Sequence, residues 1–291
     1  MEEVQYYKEQ LSSLKDMFSR TTEHMQKLQD ELKIAKDKLE ATNLSLNQSI
    51  TYAEKIQNHL IPIKYSNCAF SEIHYSVIQR DQIGGDFVFI YEDDKRIYFA
   101  IMDCTGHGIP GALLTMMGYN FLNEIIISND QLAANEILKQ LDKKFQYFFS
   151  IKQGRDQIRD GMDGVLCIYD LTSKKLQYSM AGRPFWAKIK GQWFKQRPDR
   201  NSIGGHTISD FELHKVDVNK GDEIFLFSDG LTDQFGGENN KKFLTKRLFT
   251  HLNDDNFLNL EDKTNSLLQK LKDWQGDEEQ TDDIAYIAIK F

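Results

Sequence analysis

The chain has 291 residues, 40% of them hydrophobic and 27% charged, with 18 glycines and only 4 prolines. That length allows one or two domains, and the apolar content supports a substantial core, which excludes a disordered or collagen-like chain. The 36 Lys and Arg against 44 Asp and Glu leave a formal charge of -8, which repels phosphate backbones and anionic lipid and argues against nucleic acid or a membrane as the main partner.

In chain order, the first element is a heptad repeat. Val4, Leu11, Phe18, Met25, Leu32, Leu39, Leu46, Ala53 and Leu60 fall on a, and Tyr7, Leu14, Thr21, Leu28, Ala35, Thr42, Ser49 and Ile56 on d. No Pro or Gly precedes Pro62. The pattern predicts one helix of about 60 residues, about 90 Å long at 1.5 Å per residue, with a stripe that needs a partner helix. A second copy of the chain is the simplest partner, which predicts a homodimeric coiled coil over residues 1–52. The seam weakens at Thr42 and Ser49, just ahead of the next domain. It serves either as a passive dimerising stalk or as a relay from an upstream sensor that the sequence does not reveal.

Beyond Pro62 the apolar period shortens. His74–Ile78, Phe87–Tyr91, Arg96–Met102, Val165–Asp170, Lys175–Ala181, Phe185–Lys190, Glu223–Ser228 and Ile284–Phe291 are rich in β-branched and aromatic residues and read as strands. Ile109–Ile127, Gln131–Phe149, Lys241–Leu252 and Leu260–Trp274 carry apolar residues at three- and four-residue steps and read as helices. Strands clustered as hairpins point to an α+β domain with antiparallel sheets over residues 53–291. Several strands are apolar on both faces, so each sheet is expected to be covered on both sides. Cys68, Cys104 and Cys167 lie far apart without a CxxC pair, which excludes a disulfide framework or thiolate zinc site and fits a reducing compartment. With neither a signal-like leader nor an apolar run of membrane-spanning length, the expectation is a soluble, cytoplasmic chain.

The chemistry begins with a hairpin. If Asp94-Lys95 forms a two-residue turn, Asp86 lies opposite Asp103 at the open end. Paired carboxylates at the end of an apolar hairpin cost free energy unless they are protonated, separated or bridged by a cation. Two more apolar strands carry aspartates at their ends, through Ser228-Asp229-Gly230 and Thr281-Asp282-Asp283. An all-carboxylate constellation selects a hard cation such as Mg2+ or Mn2+ over zinc.

The runs Asp81-Gln82-Ile83-Gly84-Gly85-Asp86-Phe87, Asp103-Cys104-Thr105-Gly106-His107-Gly108-Ile109-Pro110-Gly111-Ala112, Ser228-Asp229-Gly230-Leu231-Thr232-Asp233 and Thr281-Asp282-Asp283-Ile284 resemble the metal-dependent PPM (type 2C) serine/threonine phosphatases. The bacterial SpoIIE/RsbU-like branch is the better fit. Four motifs in order, covering about residues 53 to 291, carry the resemblance. It implies an α-β-β-α sandwich and hydrolysis of phosphoserine or phosphothreonine on a protein by water activated at two Mn2+ or Mg2+ ions. It further implies that Asp103 bridges both ions and that Asp229 and Asp282 complete one site. Asp86, directly or through water, and the backbone carbonyl of Cys104 belong to the other. Asp233 matches a position that in some relatives helps hold a third, weaker ion, or is a solvated loop acid. The substrate implied is a STAS-type anti-anti-sigma protein, although the branch also serves other switches.

Other residues leave alternatives open. His107 is either a general acid for the leaving oxygen or, as favoured here, a shaper of the turn into the helix near Pro110. Asp163 either assists substrate or metal or caps its strand. Arg183, in the turn Ala181-Gly182-Arg183-Pro184, either meets a phosphate or, as a turn arginine more often is, stays solvated. Lys241-Lys242 and Lys246-Arg247 read as a solvated helix face. The rival to an enzyme is a catalytically silent dimeric scaffold on the same fold.

Overall fold

Without Pro or Gly to interrupt it, the heptad segment forms one helix, α1 (Glu2–Leu60), of 59 residues. The computed structural model describes residues 1–62, 69–129, 131–150, 160–198, 201–205 and 210–291. Cys68, noted in the sequence, lies outside them. Contacts divide the chain into two compact units, Met1–Tyr52 and Ala53–Phe291. In the first, the a residues Val4, Leu11, Phe18, Met25, Leu32, Leu39 and Leu46 and the d residues Tyr7, Leu14 and Leu28 are exposed. The hydroxyls of Thr21, Thr42 and Ser49 donate to the carbonyl four residues back, so each is satisfied within the helix. No helix among the described residues is long and apolar enough to cross a membrane.

The second unit contains β1 (Glu72–Ile78), β2 (Asp86–Glu92), β3 (Arg96–Cys104), α2 (Gly108–Ser128), α3 (Ala134–Ser150), β4 (Met162–Asp170), β5 (Lys175–Ala181), β6 (Phe185–Ile189) and β7 (Gln192–Gln196). It continues through β8 (His214–Asp217), β9 (Glu223–Phe227), α4 (Gly230–Asp233), β10 (Phe235–Gly236), β11 (Lys241–Lys242), α5 (Leu244–Leu252), α6 (Leu260–Gln275) and β12 (Ile284–Lys290). Two five-stranded antiparallel sheets result, in the orders β2-β3-β4-β5-β8 and β1-β12-β9-β6-β7.

Their strands bury alternate residues into different layers. Val88, Ile90, Phe99 and Ile101 face Ile224, Leu226, Ile287 and Ile289 between the sheets. Phe87, Phe89, Tyr98 and Met102 point the other way and pack with Leu122 and Ile126 of α2 and Leu138 and Leu141 of α3. Phe225, Phe227 and Tyr286 pack with Leu248 and Leu252 of α5 and Leu267 and Leu271 of α6. This double covering is why the strands read as apolar on both faces, and it is the α-β-β-α sandwich expected.

Three differences from the sequence reading have local causes. Strands β7 and β8 are half-exposed edges, too polar to stand out as apolar runs. Lys241-Lys242 is not on a helix: Gly237 and Asn240, both at positive φ, turn the chain so that Lys241 and Lys242 pair with Gly236 and Phe235. Helix α3 starts at Ala134 rather than Gln131, with the Glu136 carboxylate accepting the Ala133 N–H at its head.

Candidate active site

The β2–β3 turn sets the register on which the site depends. The Asp93 carboxylate accepts the N–H groups of Lys95 and Arg96 at 2.7 and 2.8 Å, closing the turn, and Asp86 then pairs with Asp103. On the other side of β3, Asp163 of β4 also pairs with Asp103. Three carboxylates thus line up across three neighbouring strands. Asp86 is only 3% exposed, and Oδ2 of both Asp86 and Asp103 is buried without a hydrogen-bond partner. Burial, with Asp103 adding, pushes the Asp86 carboxyl well above the usual range. Burial also pushes Asp103 up, to about 7, against the pull of Arg183 and with Asp229, Asp282 and Asp163 adding to the rise. Orphaned carboxylate oxygens in such a place ask for a cation.

Asp229 ends β9 and heads the short helix α4, whose Thr232 and Asp233 N–H groups return to the Asp229 carbonyl. Asp282 and Asp283 precede β12 and have separate tasks. Asp283, 3% exposed, accepts the N–H of Arg80 at 2.7 Å and that of Gly85 at 2.5 Å, so its carboxylate is spent on holding the loop before Asp86. Asp282 is only partly buried, accepts the Asp283 N–H at 2.9 Å, and has its carboxyl raised by burial and by Asp229. Sequence reasoning singled out Asp282 but gave Asp283 no task. An acid flanked by a ligand candidate and an apolar strand was the available signal.

Arg183 corrects the solvated-turn reading. Its side chain is 15% exposed; Nη2 donates to Asp229 Oδ2 at 2.7 Å and makes an ion pair with Asp103 Oδ2 at 2.6 Å, without hydrogen-bond alignment. Both carboxylates therefore lie within reach of one nitrogen. Asp163 Oδ2 is 3.8 Å from the same atom. Among the described residues, no three acidic, His or Cys side chains close into a ready-made metal cage. The donor set is nevertheless all oxygen, Asp86 Oδ2 is buried without a partner and Asp103 Oδ2 meets only a cation, which fits a hard divalent ion.

The backbone around Asp86 is pinned from several directions. The Thr115 hydroxyl of α2 donates to the Gly85 carbonyl at 2.6 Å, Cys104 N–H donates to the same oxygen at 3.2 Å, and Gln79 holds the Asp86 carbonyl at 3.2 Å. A Cβ on Gly85 would stand 2.6 Å from the Gly106 carbonyl and 2.9 Å from that of Cys104, so only glycine fits there. Near the end of α1, the buried Gln57 donates to the Gly84 carbonyl at 2.8 Å, and Glu54 accepts from Gln82 at 2.8 Å. The buried Cys104 thiol is pushed up by burial and accepts from the Thr115 hydroxyl.

Two expected residues have other partners. His107, flanking the start of α2, places Nδ1 2.8 Å from Asp81 Oδ2, which suits a turn-shaping role. Asp233 sits one turn beyond Asp229 and pairs with Lys242 at 2.6 Å. Lys242 is therefore not part of a solvated helix face, and Arg247 lies over the Trp274 ring at 3.9 Å.

A family model described as Stage II sporulation protein E (SpoIIE) matches residues 93–291. The chain is 23% identical over 194 residues to phosphoserine phosphatase RsbP of Bacillus subtilis strain 168, covering 65% of this chain and 46% of that protein. It is 24% identical over 199 residues to phosphoserine phosphatase RsbU of the same organism, covering 65% of this chain and 54% of that protein. The chain thus spans about half the length of these curated relatives. Among solved structures, the SiaA PP2C domain of Pseudomonas aeruginosa matches with a TM-score of 0.77 at 26% identity, over 86% of this chain and 99% of that one. RsbX in complex with magnesium matches with a TM-score of 0.55 at 18% identity, over 79% of this chain and 98% of that one. The family match contains Asp103, Asp229 and Asp282, and the hairpin register adds Asp86. Sandwich, aspartate placement and a match over most of its length together make this chain a member of the SpoIIE family, with a PP2C-type phosphatase domain.

Proposed function

We propose that residues 53–291 form a metal-dependent protein serine/threonine phosphatase domain that hydrolyses phosphoserine or phosphothreonine on a protein substrate. The observation that carries this reading is the in-register Asp86–Asp103 pair beside Asp229, with Asp86 Oδ2 buried and unpartnered and Asp103 Oδ2 facing the Arg183 guanidinium. In the proposed assignment Asp103 bridges two Mn2+ or Mg2+ ions, Asp229 and Asp282 complete one site, and Asp86 with the Cys104 carbonyl serves the other. Asp233 is kept for a third, weaker ion. Such ions, when bound, supply positive charge for the transferring phosphoryl group and lower the pKa of attacking water. The chain itself holds the carboxylates at the ends of neighbouring strands, excludes bulk water from Asp86, and keeps His107 engaged with Asp81 outside the proton transfer.

The names of the relatives as phosphoserine phosphatases support the substrate class, and a STAS-domain protein is the proposed partner. Manganese-dependent hydrolysis of p-nitrophenyl phosphate tests the activity. The wild type is expected to turn over only with added metal, and Asp229→Asn to lose most of that rate. Equal rates for the two proteins would reject catalysis at this site. The silent-scaffold reading has one observation in its favour, the Arg183 guanidinium between Asp103 and Asp229, and the same assay decides it.

The exposed a and d stripe of α1 supports a homodimer through residues 1–52, and Gln57 on the Gly84 carbonyl supports a path from that helix to Asp86. Leu32→Lys with Leu39→Lys is expected to give monomers by sedimentation equilibrium, and deleting residues 1–50 to change the manganese dependence or turnover. An unchanged mass would reject the coiled-coil dimer. Unchanged kinetics would leave the helix as a tether alone.

A further inference from the structure

Arg183 is a basic side chain that the structure places between two of the carboxylates assigned to the metals. A single nitrogen, Nη2, bridges Asp103 and Asp229, the position a bridging divalent ion also needs. The same oxygens cannot serve both, because an ion draws them to about 2.0–2.3 Å while the guanidinium holds them at hydrogen-bond distance. Without a cation of some kind, Asp86, Asp103, Asp163, Asp229 and Asp282 would repel one another in a partly dry setting.

The surroundings leave Arg183 an exit. Its Nε is buried with no hydrogen-bond partner, so the present seat is not a fully satisfied one. Asp163 Oδ2 waits at 3.8 Å. The Asp163 carboxyl lies against Gly182, whose φ of 72° and missing Cβ make room for it beside the arginine backbone. A cavity of about 310 Å³, lined by Asp103, Thr105, Asp163, Arg183 and Ser202 among others, borders the guanidinium. We propose that Arg183 is the resident counter-cation of the metal-free site, which an entering divalent ion displaces from Asp103 and Asp229 toward Asp163. The inference rests on the metal assignment above. It adds that metal affinity in this chain is set by competition with an internal cation.

Calorimetric titration of the full chain with manganese chloride tests it directly, alongside melting curves without metal. Arg183→Gln is expected to bind manganese about tenfold or more tighter than wild type, since the ion no longer competes with a paired guanidinium. Its metal-free form is expected to melt at a lower temperature. Arg183→Lys, which keeps the charge but loses the planar fork, is expected to fall between them and serves if the glutamine variant fails to fold. Asp163→Asn is expected to weaken manganese binding in the wild-type background and to do nothing further alongside Arg183→Gln. Equal or weaker binding by Arg183→Gln overturns the proposal while leaving the phosphatase reading intact. Equal losses from Asp163→Asn in both backgrounds overturn the exchange, marking Asp163 as a ligand. If neither wild type nor Arg183→Gln binds manganese, both the inference and the metal assignment fall.

Discussion

Asp103→Asn is expected to remove manganese-dependent hydrolysis by at least about 10²–10³-fold in kcat, the loss typical of deleting one preorganised electrostatic group at a reacting centre. Asp103 is the middle member of the Asp86–Asp103–Asp163 row and lies nearest, at 2.6 Å, to the guanidinium nitrogen that also binds Asp229. No neighbouring carboxylate can replace it, because β3 is central and its register is fixed on both sides. The metal-free variant is expected to stay folded. Burial already raises the Asp103 carboxyl to about 7, so a neutral amide of the same shape removes a charge that the site tolerates poorly. Steady-state kinetics paired with a thermal melt in chelator separates the two effects. Near wild-type turnover would remove Asp103 from the chemistry, and an unfolded variant would show that its role is structural.

Asp283→Ala is expected to act through the backbone. Its carboxylate accepts the N–H groups of Arg80 and Gly85, and both lose a charge-assisted partner when the side chain is cut back. Water can replace the carboxylate at the exposed Arg80, but leaving the buried Gly85 N–H unpaired costs about 1–3 kcal/mol by ordinary magnitudes. Urea denaturation reads that loss. The same change releases the Gly84-Gly85 loop that seats Asp86, so manganese binding is expected to weaken along with stability. Asp283→Asn keeps an acceptor oxygen and is expected to lose less of both. A stable Asp283→Ala protein with undiminished manganese binding would show that the loop is held by Thr115, Cys104 and Gln57 alone.

Much of this arrangement was legible from residue order. A two-residue turn at Asp94-Lys95, one option the sequence offers, implies the Asp86–Asp103 pairing that the hairpin adopts. The continuous apolar run within Arg96–Met102 announced a strand covered on both faces. What escaped were contacts made by residues far apart in sequence. Arg183 reads as a turn residue because nothing local reveals that Gly182 brings it against β3 and the end of β9. Asp283 looks interchangeable with Asp282 until Gly85, 198 positions away, is seen to donate to it. Edge strands β7 and β8 escaped for a different reason, because half-exposed pairing needs little apolar patterning.

Anomalous diffraction from crystals soaked in manganese tests the central claim most directly. Two peaks are expected among the carboxylates of Asp86, Asp103, Asp229 and Asp282, with Asp103 oxygens about 2.0–2.4 Å from both ions and the Arg183 guanidinium moved off Asp103. A map with no manganese there, and Arg183 still clasped by Asp103 and Asp229, would contradict the account.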